Sequence, residues 1–216
     1  MTDDAISLDE RKELADFIVF TDKLSQGNTV KEFEEQWSKW LGCKYSIFVN
    51  SGSSANLMLV RALHSMNKKD KPSWASQACT WSTTISPILQ HKGKLHLCDV
   101  DLDNFSPDLL QLETIFTQQK VDYLFLTHLL GFSSISDDLL TLCKKHNVTL
   151  LEDCCEAHGA SFRGKKVGNF GIGSSFSFFY GHHMTTIEGG MVCTNDENLY
   201  HELLLLRSHG LLRELP

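Results

Sequence analysis

The sequence predicts an α/β fold, a mostly parallel sheet covered by helices on both faces. Segments with helical and with strand-like spacing alternate along nearly the whole chain. The strand-like segments are short and almost wholly apolar, as strands buried on both faces are. Four prolines and 14 glycines in 216 residues leave little material for a disordered linker.

Taken in order, residues 9–24 and 30–41 have helical spacing, carried by Leu14, Phe17 and Ile18 and then by Val30, Phe33, Trp37, Trp40 and Leu41. LSQGN at 24–28 is the break between them, with Gly27 as its turn residue. YSIFVN at 45–50 is a short buried strand. Ser51–Ser54 then turn the chain into a helix near 55–66, with Leu57, Leu59, Val60 and Leu63 facing the core. The strand-like stretch Gln77–Thr80 precedes a helix near 82–91. A strand at 94–100, a helix near 107–119, a strand at 121–129, a helix near 136–146 and a strand at 148–153 follow. Strands at 174–180 and 189–194 and a helix near 197–208 complete the pattern. No internal repeat or low-complexity segment interrupts it. An α/β enzyme would ordinarily continue beyond that last helix, so the sequence reads as a piece of a longer protein.

Hydrophobic residues make up 42% and charged residues 22%, the composition of a globular domain with one good core. The formal net charge is −7, and the Lys and Arg residues are scattered. No basic stripe is available to run along a nucleic acid. The acidic start, MTDDAISLDERKEL, is not a secretory signal, and the longest apolar runs fall short of a membrane span. Seven cysteines, an odd number without a CxxC pair, lie mostly in apolar runs and predict buried free thiols in the reducing cytoplasm.

Four places carry chemistry. In Asn50-Ser51-Gly52-Ser53-Ser54-Ala55-Asn56 a strand ends, a small polar turn follows and a helix begins. Backbone N–H groups and the Ser53 and Ser54 hydroxyls converge there, and the helix dipole attracts a phosphate. An ordinary helix cap accounts for the same residues. Glu152-Asp153 end an apolar strand, the edge where ligands of open α/β sheets collect. A carboxylate there can hold a protonated ring nitrogen, or simply cap a helix. Trp81 offers a flat indole beside that edge, although core packing is the commoner use of tryptophan. Finally, His182-His183 stand between a strand and the glycine-rich return Gly189-Gly190. Neighbouring side chains of an extended segment point to opposite faces, which makes the pair a poor metal site and predicts no metal. One imidazole facing a cleft is a natural proton carrier near neutral pH.

The order and spacing of these features resemble the DegT/DnrJ/EryC1/StrS family of sugar aminotransferases. The resemblance runs from about Leu24 through SQGNTVKEFEEQWSKWLGCKYSIFVNSGSSANLMLVRAL, CTWSTTISPIL, CDVDLDNFSPD, THLLGFSS, LLEDCCEAHGASFRGKKVGNFG and SFSFFYGHHMTTIEGGMV. It implies the three-layer α/β/α large domain of fold type I enzymes that depend on pyridoxal 5′-phosphate (PLP). An N-terminal helical segment would cover residues 1–30 and the PLP-binding domain residues 31–216, without the family's small C-terminal domain. By the same resemblance, Ser53, Ser54 and Ser177 contact the cofactor phosphate and Trp81 stacks on its ring. Asp153 pairs with the ring nitrogen, and Glu156 stands where the family usually has Gln, near the ring hydroxyl. A homodimer is implied as well.

The sequence departs from the family at His182, where the pattern places the Schiff-base lysine. That substitution resembles the branch of keto-sugar 3-dehydratases. Those enzymes use pyridoxamine 5′-phosphate, whose amine condenses with a keto group at sugar C4. A histidine removes a proton from the cofactor methylene, and the C3 hydroxyl is expelled. The implied substrate is a nucleotide-linked keto-sugar, with glutamate as the amino donor. A lysine-free aminotransferase and a non-catalytic cofactor- or sugar-binding homologue are the alternatives. Two further departures, Glu156 for Gln and the lack of an acidic residue in Gly171-Ile172-Gly173, have no evident consequence for specificity.

Overall fold

The computed structural model describes residues 6–67 and 69–212; the ends of the two expected segments, residues 1–5 and 213–216, lie outside the described residues. The described residues form seven α-helices, α1 (Leu8–Phe20), α2 (Asn28–Leu41), α3 (Gly52–Asn67), α4 (Ser82–Gln90), α5 (Leu109–Gln119), α6 (Asp137–His146) and α7 (Glu197–Arg207), and a short 3-10 turn at Leu129–Gly131. Their ends follow from local chemistry. Asp108, Ser136 and Asp196 cap α5, α6 and α7 by accepting N–H bonds from the first turn. Helix α6 also carries Asp137 and Asp138 at its positive end and Lys144, Lys145 and His146 at its negative end. Gly42, at φ 90°, ends α2 in a left-handed conformation that suits glycine.

The strands are β1 (Tyr45–Val49), β2 (Ser73–Gln77), β3 (Lys94–Cys98), β4 (Tyr123–Thr127), β5 (Thr149–Asp153), the two-residue β6 (Ser161–Phe162) and β7 (Lys165–Lys166), β8 (Gly173–Ser177) and β9 (Gly190–Thr194). Seven of them form one sheet in the order β1-β9-β8-β5-β4-β2-β3, and β6 and β7 form a separate hairpin. Only β9 runs against the other strands of the large sheet, pairing antiparallel with β1 and β8. Helices α3, α4 and α7 cover one face, packing Leu59, Leu63, Ile88, Leu199 and Leu203 on Ile47, Phe125 and Val192. The other face is covered by α5 and α6 through Leu112, Phe116 and Leu139, and by α2 through Trp37 and Leu41. The result is the three-layer α/β/α arrangement, and the C-terminal ends of its parallel strands form one edge.

Several expectations need correction. Helix α1 stops at Phe20, and Leu14, Phe17 and Ile18 remain exposed; the apolar spacing of that helix does not feed the core of this chain. Leu57 and Trp40 also face outward, 40% and 39% exposed, because the buried stripes of α3 and α2 are narrower than their apolar residues suggest. The strand before Trp81 is Ser73–Gln77, so only Gln77 of the expected stretch belongs to it. It is buried although rich in polar residues, because sheet partners satisfy two of them: Ser76 Oγ donates to the Phe125 carbonyl at 2.9 Å, and Gln77 Oε1 accepts the Thr127 N–H at 2.7 Å. Strand β8 ends at Ser177, three residues early. Residues 178–189 form a folded loop, closed by Phe178 N–H to Gly189 O at 2.9 Å and Tyr180 N–H to Ile187 O at 3.0 Å. His182 and His183 therefore do not lie on an extended strand. Cys79 is exposed rather than buried, and all seven cysteines are unpaired. No helix among the described residues is long and apolar enough to cross a membrane.

Candidate active site

A cleft of about 510 Å³ opens at the C-terminal edge of the sheet. Five connections meet there: the start of α3, the turn from β2 into α4, the ends of β4 and β5, and the loop after β8. Six of the seven residues singled out from the sequence line it: Ser53, Trp81, Asp153, Glu156, Ser177 and His182. Ser54 does not. Its N–H donates to Ser51 Oγ at 3.0 Å and its hydroxyl accepts from Ser51 Oγ at 3.1 Å, which turns it away from the cleft. A larger groove of about 910 Å³ lies between α2, β1 and α7, but its lining of mixed charges converges on no point.

At one end of the cleft, Ser51, Gly52 and Ser53 form the first turn of α3. The first N–H groups of a helix have no partner within it, and here they face the cleft together with the Ser53 and Ser177 hydroxyls. Close approach makes this possible. A Cβ on Gly52 would stand 2.6 Å from Ser177 Cβ and 2.7 Å from Cys155 Sγ, and one on Gly190 would stand 2.2 Å from the Ser51 carbonyl oxygen. Glycine lets α3 begin against the ends of β8 and β9.

In the floor, β5 delivers its two last carboxylates to opposite faces of the sheet. Asp153, 3% exposed, faces the cleft. Its Oδ2 accepts from Asn56 Nδ2 at 2.8 Å and Thr84 Oγ1 at 2.7 Å, and its Oδ1 accepts the Cys155 N–H at 3.1 Å. Asn56 is held in turn, its Oδ1 accepting from Ser175 Oγ at 2.5 Å. The Cys155 thiol lies against the same carboxylate. Asn56 and Thr84 were not anticipated. The available signal was one polar residue near the start of each helix, in line with its otherwise apolar buried stripe.

Glu152 turns the other way and is buried. It accepts N–H bonds from Gly168, Phe170 and Gly171 at 2.7, 2.6 and 2.7 Å, and faces His128 Nε2 at 3.1 Å. His128 Nδ1 accepts the Ser134 N–H at 3.0 Å, so the ring hydrogen sits on Nε2. Glu152, His128 and Cys154 are the one group of metal-ligating type among the described residues. Their lone pairs are committed to this network, and burial pushes the Cys154 thiol well above its ordinary range, against the thiolate a metal needs.

Over the cleft stand Trp81, 65% exposed, and His182. The Glu156 carboxylate accepts the Leu130 N–H at 2.8 Å. Burial lowers the proton affinity of His182, Glu156 and Asp153 pull it back up, and His183 pushes it down; the net direction is down, which favours the unprotonated base.

Comparison with known proteins agrees with this geometry. The model of the DegT/DnrJ/EryC1/StrS aminotransferase family matches residues 6–215. A GDP-4-keto-6-deoxy-D-mannose 3-dehydratase of Yersinia pseudotuberculosis is 36% identical over 203 residues, covering 92% of this chain and 51% of the relative. A GDP-perosamine synthase of Caulobacter vibrioides is 33% identical over 187 residues, covering 87% of this chain and 49% of the relative. The solved structure of the E. coli GDP-4-keto-6-deoxy-D-mannose 3-dehydratase with bound hydrated PLP superposes with a TM-score of 0.89 at 35% identity, covering all of this chain and 56% of that one. The chain thus spans about half the length of the curated relatives it matches.

Proposed function

This chain belongs to the DegT/DnrJ/EryC1/StrS aminotransferase family, and we propose that it is the cofactor-binding part of a PLP/PMP-dependent 3-dehydratase of a nucleotide-linked keto-sugar. The observation that carries the reading is the pairing of a wired carboxylate, Asp153, with an imidazole, His182, across one cleft. The family's aminotransferase pattern has a lysine at the second position; a dehydratase needs only a base there. The similarity to GDP-4-keto-6-deoxy-D-mannose 3-dehydratases supports a GDP-linked 4-keto-sugar as substrate.

The residues fit the cofactor. The N–H groups at the start of α3, with Ser53 and Ser177, would hold its phosphate; the cleft-facing carboxylate of Asp153 would hold the ring N–H; and Trp81 would cover the ring. When bound, the cofactor supplies an electron sink and, in its amine form, the group that engages the sugar ketone. His182 is then the residue that takes and returns the proton. Asp153 would face the ring nitrogen, and Glu156, anchored by the Leu130 N–H, would flank the ring. Glutamate is the proposed amino donor, a homodimer the proposed functional unit and the cytoplasm the proposed location, where seven unpaired cysteines would stay reduced.

The test is incubation with PLP and glutamate, followed by a GDP-4-keto-6-deoxy-sugar and mass analysis of the product. The reading expects a sugar that has lost its C3 oxygen and gained no nitrogen. An amino-sugar product would transfer the assignment to the aminotransferase alternative.

A further inference from the structure

Behind His182 lies a third imidazole that the reading above does not use. His158 follows β5 and packs into an aromatic floor of Trp37, Phe176 and Phe178, with ring centroids 5.7, 5.9 and 5.5 Å away. Its other side meets His182 at 6.4 Å and His183 at 5.8 Å. Both ring nitrogens are buried; neither makes a hydrogen bond of full geometry, and the one protein group in reach is the Ser177 backbone. A buried polar atom without a good partner is costly, and a phenylalanine in the same floor would avoid that cost. The nitrogens therefore need a reason. The His182 ring needs something too. Among the described residues no side-chain hydrogen bond orients it, and it is bracketed only by Phe179, at 6.0 Å, and His158.

We propose that His158 is a positioning residue for His182: as a neutral imidazole it accepts, through one shared water, the N–H of the His182 nitrogen turned away from the cleft. The centroid separation is too long for a direct bond of about 3 Å between ring nitrogens and suits a single bridging water. Which nitrogen of a histidine carries the hydrogen is set by the partner of the other nitrogen. Holding the N–H at the back leaves the unprotonated nitrogen facing Asp153 and Glu156. Burial and the two neighbouring histidines depress the proton affinity of His158 to about 4, so it stays neutral, and with its ring hydrogen turned to the Ser177 backbone its second nitrogen is left as an acceptor. The groups facing His182 are then complete: Glu156 and Asp153 from the end of β5, His183 on its own loop, and His158 behind.

The inference rests on His182 as the proton carrier, so its test is made without cofactor or substrate. Ring-nitrogen NMR of the ligand-free chain reads the tautomer of His182 directly. The wild type should show one tautomer, and so should His158→Gln, which keeps an acceptor. His158→Phe, which keeps the ring and removes the nitrogens, should give a mixture. If the phenylalanine variant does not fold, His158→Met takes its place. A tautomer mixture in the wild type, or an unchanged single tautomer in His158→Phe, overturns the proposal. A protein that shows the effect yet leaves every keto-sugar unchanged refutes the dehydratase reading and leaves this inference standing.

Discussion

The two ends of the cleft are built differently. Asp153 sits in the middle of the sheet, and its carboxylate is fastened by α3, α4 and the backbone after β5. His182 sits on the loop after β8; its N–H bonds to Phe179 O at 3.0 Å, and its ring is held by neighbouring rings alone. One group is part of the core network and the other is hung on its rim. Chemistry and stability should therefore be entangled at Asp153 and separable at His182.

The largest expected effect tests the rim. His182→Asn should slow proton abstraction about 10²- to 10⁴-fold, the usual loss for a positioned base. Stability should stay within about 0.5 kcal/mol, because no bond to the core is lost. Turnover and denaturant unfolding measured on the same preparation check both halves; marked destabilisation would break the comparison. At the anchored end, Asp153→Asn should cost roughly 10²–10³-fold in rate, as for the loss of a preorganised electrostatic partner. It should also destabilise the chain by about 1–3 kcal/mol, because the new amide brings an NH₂ group against donors that already fill the site. A variant as stable as the wild type would show that the network around Asp153 has slack.

Acid should attack the rim through His158. Its folded-state proton affinity is pushed down to about 4 from an ordinary 6.5, so the unfolded chain takes up the proton first. This contribution is intact above about pH 6.5 and is lost as the pH falls toward 4, on the order of 3 kcal/mol in all. Unfolding free energies across that range should show it, and His158→Phe should flatten the slope. The smallest effect belongs to the exposed Ser53, whose hydroxyl reaches Thr83 Oγ1 at 3.1 Å. Ser53→Ala should leave stability within about 0.5 kcal/mol and weaken PLP binding, which a titration of the cofactor's absorbance would follow.

Much of this was legible in the sequence. Apolar strands separated by helical segments determined the three-layer fold, since strands buried on both faces must be apolar and amphipathic helices must cover them. The strand-turn-helix at Ser51–Ser54, the strand-terminal Asp153 and the histidine at 182 marked the site, because each pairs a local geometry with a chemistry. What the sequence left open depends on neighbours far along the chain. Only the fold shows that Ser54 turns back to Ser51 and that the strand Ser73–Gln77 is buried with Ser76 and Gln77 satisfied by β4. Only the fold brings Asn56 and Thr84 to Asp153, 97 and 69 residues away. Only the fold sets His158 behind His182, on a loop whose turned backbone carries both histidines toward one ring. Periodicity reports which side of an element is buried; it does not report what lies across the gap, and a carboxylate or an imidazole takes its properties from what lies there.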